Sequence, residues 1–137
     1  MLKIFIVILL LGLASAALAP VIAAKCPAVQ KEKMRTTVKR FRVTAYCPCQ
    51  KCCGKYADGI TASGHKIRFG DRFVAAPLEF RFGTSMLIPF YGTVEVRDRG
   101  GKIKGDRLDV FFDTHQKALD WGVKFLDVVI FEAENVA

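Results

Sequence analysis

The sequence lacks a long apolar run, enough length for a second core, and any excess of acidic residues. Its 137 residues suffice for one small domain. The main apolar run, Ile4 to Leu13, is shorter than the ~20 residues that cross a bilayer. It follows Lys3 and precedes several small residues, an order typical of a secretory signal peptide. We therefore predict a signal peptide at residues 1–24, export to the periplasm, cell wall or extracellular space, and no stable membrane insertion after cleavage.

Basic residues outnumber acidic ones, 21 to 13, and give a formal charge of +8. A basic surface attracts polyanions of many kinds, so the charge alone selects no partner. Export argues against nucleic acid but does not choose between acidic lipid headgroups, the carboxylate-bearing cell wall and a charge that only keeps the protein soluble. We expect a monomer that needs no cofactor.

The rest of the chain favours short strands over helices. Residues 25–41 are predicted to form a basic tether and the entry to the domain, and residues 42–137 the domain itself. Short segments with alternating or continuous apolar residues, bounded by Gly, Pro or charge, predict strands, here at Val38–Tyr46, Arg72–Ala76, Ser85–Ile88, Thr93–Arg97, Leu108–Phe112 and Lys124–Glu132. One helix is predicted at Asp113–Trp121, stopped by Gly122. Many short strands and one short helix indicate a mainly β fold, a small barrel.

The most informative segment runs from Asp98 to Asp109 and joins two predicted strands. It has three glycines within six residues, which let the backbone turn tightly and approach a ligand. A phosphate-binding loop is excluded because Asp106 and Arg107 stand where that loop needs Lys and Ser or Thr. The two aspartates at the strand ends could be turn residues. Asp109, however, lies beside an apolar run, where desolvation favours the neutral acid.

Cysteines are concentrated in one loop, at Cys47, Cys49, Cys52 and Cys53, with Cys26 nearer the N-terminus. In an exported protein we favour disulfides, although the pairing stays open. Zinc is the alternative, which the adjacent Cys52 and Cys53 argue against. A redox motif is disfavoured because no helix start is apparent. No metal site is predicted.

Two further residues, His65 and His115, are predicted to be ordinary surface histidines, because each lies in a loop or a first helical turn.

From Val43 to Phe131 the sequence resembles the 3D (Asp-Asp-Asp) domain family, whose fold is a double-psi β-barrel related to the catalytic domain of the MltA-type lytic transglycosylases. The resemblance rests on several motifs in the same order: Val43-Thr44-Ala45-Tyr46, Gly59-Ile60-Thr61-Ala62-Ser63-Gly64, Phe82-Gly83-Thr84 and, above all, the segment from Asp98 to Asp109.

The resemblance implies cleavage of peptidoglycan glycan strands between N-acetylmuramic acid and N-acetylglucosamine, with a 1,6-anhydro product. Asp109 would be the catalytic acid and then base, and Asp98 would orient or tune it. Substrate binding is assigned to Thr61, Ser63, Tyr46, Gly100, Gly101 and Lys104, with Tyr46 as the residue expected to stack on a sugar.

The chain departs from the family at one position that matters. The first of the three aspartates that give the family its name would precede Pro77, and here that position is Ala76. The alternative is therefore a non-catalytic, expansin-like module that binds wall glycan.

Overall fold

The structure is a computed structural model that describes residues 34–133. Along the chain the elements are β1 (Met34–Tyr46), α1 (Gln50–Cys53), a 3₁₀ turn (Gly54–Tyr56), β2 (Val74–Ala75), β3 (Ser85–Ile88), β4 (Gly92–Asp98), β5 (Arg107–Phe111), α2 (His115–Trp121) and β6 (Lys124–Ala133).

The six strands close into a barrel in the order β1-β5-β2-β4-β3-β6. Its longest ladder is the antiparallel pairing of β1 with β6, from Met34 opposite Ala133 to Val43 opposite Lys124. Two pairs, β1 with β5 and β2 with β4, are parallel, and the remaining pairs are antiparallel. The mainly β barrel expected from the resemblance is confirmed.

Strand alternation separates an inner face from an outer face of the barrel wall. On β5, Leu108 and Val110 are fully buried in the main core, whereas Asp109 between them points to the other face. The main core holds buried residues from every strand, with Ala76, Phe80, Tyr91 and Trp121 from outside the strands. A second, smaller apolar cluster covers part of the outer face, and it consists of Tyr46, Phe73, Ala75 and Phe111. The alternation of side chains along β5 therefore places Asp109 outside the main core.

All six predicted strands are present, with shifted ends. Strand β1 begins at Met34, four residues before the predicted start at Val38 and inside the predicted tether. The strand extends this far because Met34, Arg35 and Thr36 pair with β6 through their backbones. Their side chains are exposed, so this part of the strand has no apolar alternation by which the sequence could predict it. Strand β2 is reduced to Val74–Ala75.

The helical content was underestimated, because the prediction of a single helix omitted α1 and the 3₁₀ turn. These short elements have no buried residue, so no apolar periodicity marks them. Helix α2 matches the prediction. Its start is capped by the Thr114 side chain, which accepts from the Lys117 N–H, and it stops at Gly122, where φ is 66°.

Within residues 34–133, no helix is long and apolar enough to cross a membrane. The predicted signal peptide and the first part of the predicted tether lie outside the described residues.

Candidate active site

Strand pairing brings the two aspartates of the glycine loop together. Asp98 is the last residue of β4 and Asp109 is the third residue of β5. Both are register partners of Ala75 on the short strand β2, one from each side. Because residues opposite each other in a sheet share a face, the two carboxylates flank Ala75 on the outer face of the barrel. The convergence predicted from the sequence is what the structure has.

Both aspartates line a cleft of about 950 Å³. This volume is within the usual range for small-molecule sites. The sequence-predicted residues that line it, besides the two aspartates, are Tyr46, Thr61, Gly100, Gly101 and Lys104. Ser63 is not among the lining residues, and its Oγ lies 3.0 Å from Thr61 Oγ1. Ser63 thus supports Thr61 at the edge of the site.

Asp109 is the most perturbed carboxyl group of the cleft. Burial raises its pKa to about 6, and the negative charge of Asp98 adds to the rise. A hydrogen bond of 2.8 Å from the Thr44 hydroxyl to Asp109 Oδ1 acts in the opposite direction, as does the charge of Arg42. Near neutral pH an appreciable fraction of Asp109 is therefore the neutral acid, which can donate a proton.

Asp98 is held by donors on both carboxylate oxygens. Its Oδ1 accepts the backbone N–H groups of Ala62 and Arg99, each at 2.8 Å. Its Oδ2 accepts a hydrogen bond from the Tyr46 hydroxyl. Burial, and then the charge of Asp98, raise the pKa of Tyr46, so the phenol keeps its proton for this bond. Asp98 is consequently fixed in orientation by three separate segments of the chain.

The position of Tyr46 changes its expected role. Its ring is buried and meets Phe73 and Phe111 edge to face, at centroid distances of 6.5 and 5.6 Å. A ring packed in this way offers little surface to a sugar, so its placement favours orienting Asp98 over stacking on substrate.

Ala76 is fully buried and packs with the main core. It meets the cleft through its backbone: its N–H donates to the Asp98 carbonyl at 3.3 Å, and its carbonyl accepts from Arg99 Nη1 at 3.0 Å. Arg99 Nη2 also binds the Phe80 carbonyl at 2.6 Å, which ties the 76–80 segment to the end of β4. Glu79 lies on the rim but is half exposed and bridges to Lys39, so it does not replace the missing aspartate.

Two glycines of the loop between Asp98 and Asp109, Gly100 and Gly105, are required by the shape of the loop. Gly105 has a φ of 59°, a conformation that glycine adopts without steric cost. A Cβ on Gly100 would lie 2.7 Å from Ile103 Cγ1, closer than real contacts allow. Gly100 therefore lets Ile103 pack against the turn that carries Asp98.

The cysteine loop forms a second wall of the cleft, through Cys52, Cys53 and Tyr56. Among residues 34–133 no disulfide is present: the four cysteines of the loop are not bonded to one another, and the Sγ atoms of Cys47 and Cys49 are 3.1 Å apart, against about 2.05 Å in a disulfide. Cys26 lies outside the described residues.

Three of the thiols meet a histidine from the other end of the domain. His115 Nδ1 lies 3.4 to 3.7 Å from the Sγ atoms of Cys47, Cys49 and Cys52. The hydrogen bond from the Cys47 thiol lowers the pKa of Cys49 to about 6. His115 is therefore not the isolated surface histidine that its sequence position indicated. His65 likewise has a partner, Asp71, at 2.7 Å.

Sequence reasoning missed three residues that shape the site: Thr44, Arg99 and His115. Thr44 shares a strand face with Tyr46, two positions away, and this spacing was an available signal. The contacts of Arg99 and His115 join segments distant in sequence, so no local pattern could indicate them.

The fold and site define a small closed β-barrel with a cleft in its wall, lined by two aspartates from β4 and β5, the two strands that flank β2. Comparison with known families gives a more specific answer, because residues 70–132 match the family model of the 3D domain. This match confirms the resemblance to the 3D domain that the motifs predicted.

Two curated relatives are both proteins of Bacillus subtilis (strain 168). One, named cell wall-binding protein YocH, is 31% identical over 75 residues, which are 53% of this chain and 26% of that protein. The other, named putative cell wall shaping protein YabE, is 30% identical over 89 residues, 64% of this chain and 21% of that protein. The chain thus spans about a quarter of the length of one relative and a fifth of the other.

Proposed function

We propose that this protein is a peptidoglycan lytic transglycosylase, which cleaves the bond between N-acetylmuramic acid and N-acetylglucosamine without water and leaves a 1,6-anhydro product. The observation that carries the proposal is the pair of aspartates, Asp98 and Asp109, flanking Ala75 in one cleft. The relatives' names, which refer to the cell wall, support the substrate class.

Asp109 is assigned the proton transfers. Its neutral form donates a proton to the glycosidic oxygen as the bond breaks. The resulting carboxylate then accepts the proton of the muramyl C6 hydroxyl as that oxygen attacks C1. A single group can serve both steps because the nucleophile belongs to the sugar, whereas hydrolytic glycosidases need two carboxyl groups. The raised pKa of Asp109, about 6, suits an acid that must also act as a base.

Asp98 is assigned an electrostatic role. Its carboxylate oxygens are occupied by the Tyr46 hydroxyl and by two backbone N–H groups, so it is poorly placed to exchange protons. Its negative charge raises the pKa of Asp109 and stabilises positive charge developing on the sugar. Lys104, Thr61 and the Gly100-Gly101 backbone line the same cleft and are assigned to substrate binding.

A non-catalytic module that binds wall glycan is the second candidate. It is favoured by Ala76, where the family's first aspartate is absent, and by the name of the cell wall-binding relative. We nevertheless prefer catalysis, because a binding surface needs no carboxyl group with a perturbed pKa, and such groups cluster at functional sites.

The two candidates are separated by digesting purified peptidoglycan with the protein and analysing the soluble products by mass spectrometry. A lytic transglycosylase releases muropeptides lighter by one water than the products of hydrolysis. Co-sedimentation with insoluble wall, measured on the same samples, reports binding independently of cleavage.

Each outcome selects one account. Anhydro products support the proposal, and products with ordinary reducing ends contradict its mechanism. Sedimentation with the wall without any released product supports the binding module. If no product is released and the protein does not sediment with the wall, both candidate functions are contradicted.

A further inference from the structure

The cysteine loop and helix α2 bring four metal-binding side chains to one point. The Sγ atoms of Cys47, Cys49 and Cys52 and the Nδ1 atom of His115 all lie within 4.8 Å of one another. Cys47 is buried, Cys49 and His115 are half-buried, and Cys52 is exposed. The cluster is therefore partly sheltered from water and open on one side.

The spacing of these atoms fits a tetrahedral ion better than a disulfide. Zinc bonds of about 2.3 Å to sulfur and about 2.0 Å to nitrogen place two sulfurs roughly 3.8 Å apart, and sulfur and nitrogen roughly 3.5 Å apart. The Sγ atoms of Cys47 and Cys52 are 3.6 Å apart, and the three sulfur–nitrogen distances are 3.4, 3.6 and 3.7 Å. The pair Cys47–Cys49, at 3.1 Å, must widen to admit an ion.

The fourth cysteine of the loop takes no part in the cluster. Cys53 Sγ donates to the Cys47 carbonyl at 3.3 Å, and its side chain lines the cleft. The adjacent Cys52 and Cys53, which argued against zinc in the sequence, therefore do not compete for one ion. The fourth donor comes instead from His115, 63 residues beyond Cys52.

We propose that Cys47, Cys49, Cys52 and His115 bind one Zn²⁺ ion in a structural site. Three thiolates and an imidazole are a donor set that suits zinc. All four positions of the tetrahedron are filled by the protein, which leaves none for substrate or water.

The ion would join the cysteine loop to helix α2 and so fix one wall of the cleft. Cys47 directly follows Tyr46, whose hydroxyl binds Asp98. A clamp at Cys47 therefore restrains the residue that orients Asp98. This inference is independent of the proposed enzymatic activity, because its test measures bound metal and not cleavage of glycan.

The test is metal analysis of the full chain purified with its thiols kept reduced, followed by replacement of zinc with Co²⁺. We expect about one zinc per chain, and a cobalt complex with the intense visible bands of tetrahedral sulfur ligation. His115→Ala and Cys49→Ser should lose the ion to a competing chelator that leaves the wild type loaded. His115→Cys supplies a fourth thiolate and should keep it.

Cys53→Ser and Cys26→Ser are the matched controls, because each removes a thiol but no proposed ligand. Both should bind the ion like the wild type. The proposal is overturned if the reduced wild type binds no metal, if Cys53→Ser loses the ion as readily as Cys49→Ser, or if the protein isolated from its host carries a disulfide between the proposed ligands. Retention of zinc by a folded His115→Ala variant, with folding checked by circular dichroism, would remove His115 from the site.

Discussion

The two walls of the cleft are held in place by different forces. The aspartate wall, residues 98–109 with its flanking strands, is fixed by backbone pairing of β4 and β5 with β2. The cysteine wall, residues 47–56, consists of a four-residue helix and a 3₁₀ turn, neither with a buried residue. The barrel thus determines where the carboxylates lie, whereas the opposite wall depends on side-chain contacts. One small domain therefore holds the aspartate wall by strand pairing and the cysteine wall by contacts between side chains.

The largest effect is expected at the centre of the aspartate wall. Asp109→Asn should reduce glycan cleavage by about 10²–10⁴-fold, because the amide keeps the shape but transfers no proton. Asp98→Asn should cost less, since the role proposed for Asp98 is electrostatic. Release of muropeptides from purified peptidoglycan measures both rates.

Asp106→Asn is the matched control for this series, because Asp106 lies in the same loop but is exposed and pairs with Lys39 at 2.9 Å. An equal loss in Asp106→Asn and Asp109→Asn would show that the loop's overall charge, and not the acid at 109, supports cleavage.

The raised pKa of Asp109 also predicts how stability depends on pH. Between about 3.8 and about 6 the folded state holds a proton that the unfolded state has released, so the free energy of unfolding falls as pH rises through this window. Asp109→Asn removes this penalty. We expect the variant to gain on the order of 1–3 kcal/mol over the wild type above pH 6, and little below pH 4. Urea unfolding at several pH values measures the difference, and a gap that does not change with pH would contradict the shift.

A smaller effect is expected at Tyr46, which connects the two walls. Tyr46→Phe removes the hydroxyl that binds Asp98 and leaves that carboxylate with its two backbone donors. Cleavage should fall by about tenfold, and the free energy of unfolding by about 1 kcal/mol. Tyr56→Phe is the control, since Tyr56 lines the same cleft but is 70% exposed. Equal losses in both variants would assign the effect to the cleft surface and not to Asp98.

The most local effect is expected when metal is removed from the cysteine wall. With zinc bound, trypsin should cut slowly after Lys51 and Lys55, and a chelator should speed both cuts because the proposed ion ties this wall to α2. Peptide mapping by mass spectrometry locates the cuts. Cys49→Ser should be cut quickly with or without chelator. Cutting that is equally fast in untreated and chelated wild type would mean that the wall is held in some other way.

The difference between the walls also explains what the sequence could predict. Local sequence patterns predicted all six strands, helix α2 and the proximity of Asp98 to Asp109. They could do so because apolar alternation and strand ends are recognisable from residues close together in the sequence. Helix α1 has no buried side chain, so the sequence shows no apolar periodicity that could predict it. The contact of His115 with Cys52 spans 63 residues, and the start of β1 at Met34 depends on a partner strand near the C-terminus. Such contacts exist only once the barrel has closed.

The central claim, that the cleft keeps Asp109 partly protonated near neutral pH, is tested most directly by a carbon-13 NMR titration of the aspartate carboxyl groups. The wild type should show one aspartate resonance that titrates with a pKa of about 6, and this resonance should be absent from Asp109→Asn. If the resonance that the substitution removes titrates near ~3.9 in the wild type, like a free aspartate, then Asp109 is ionised at neutral pH and is not the acid of this site.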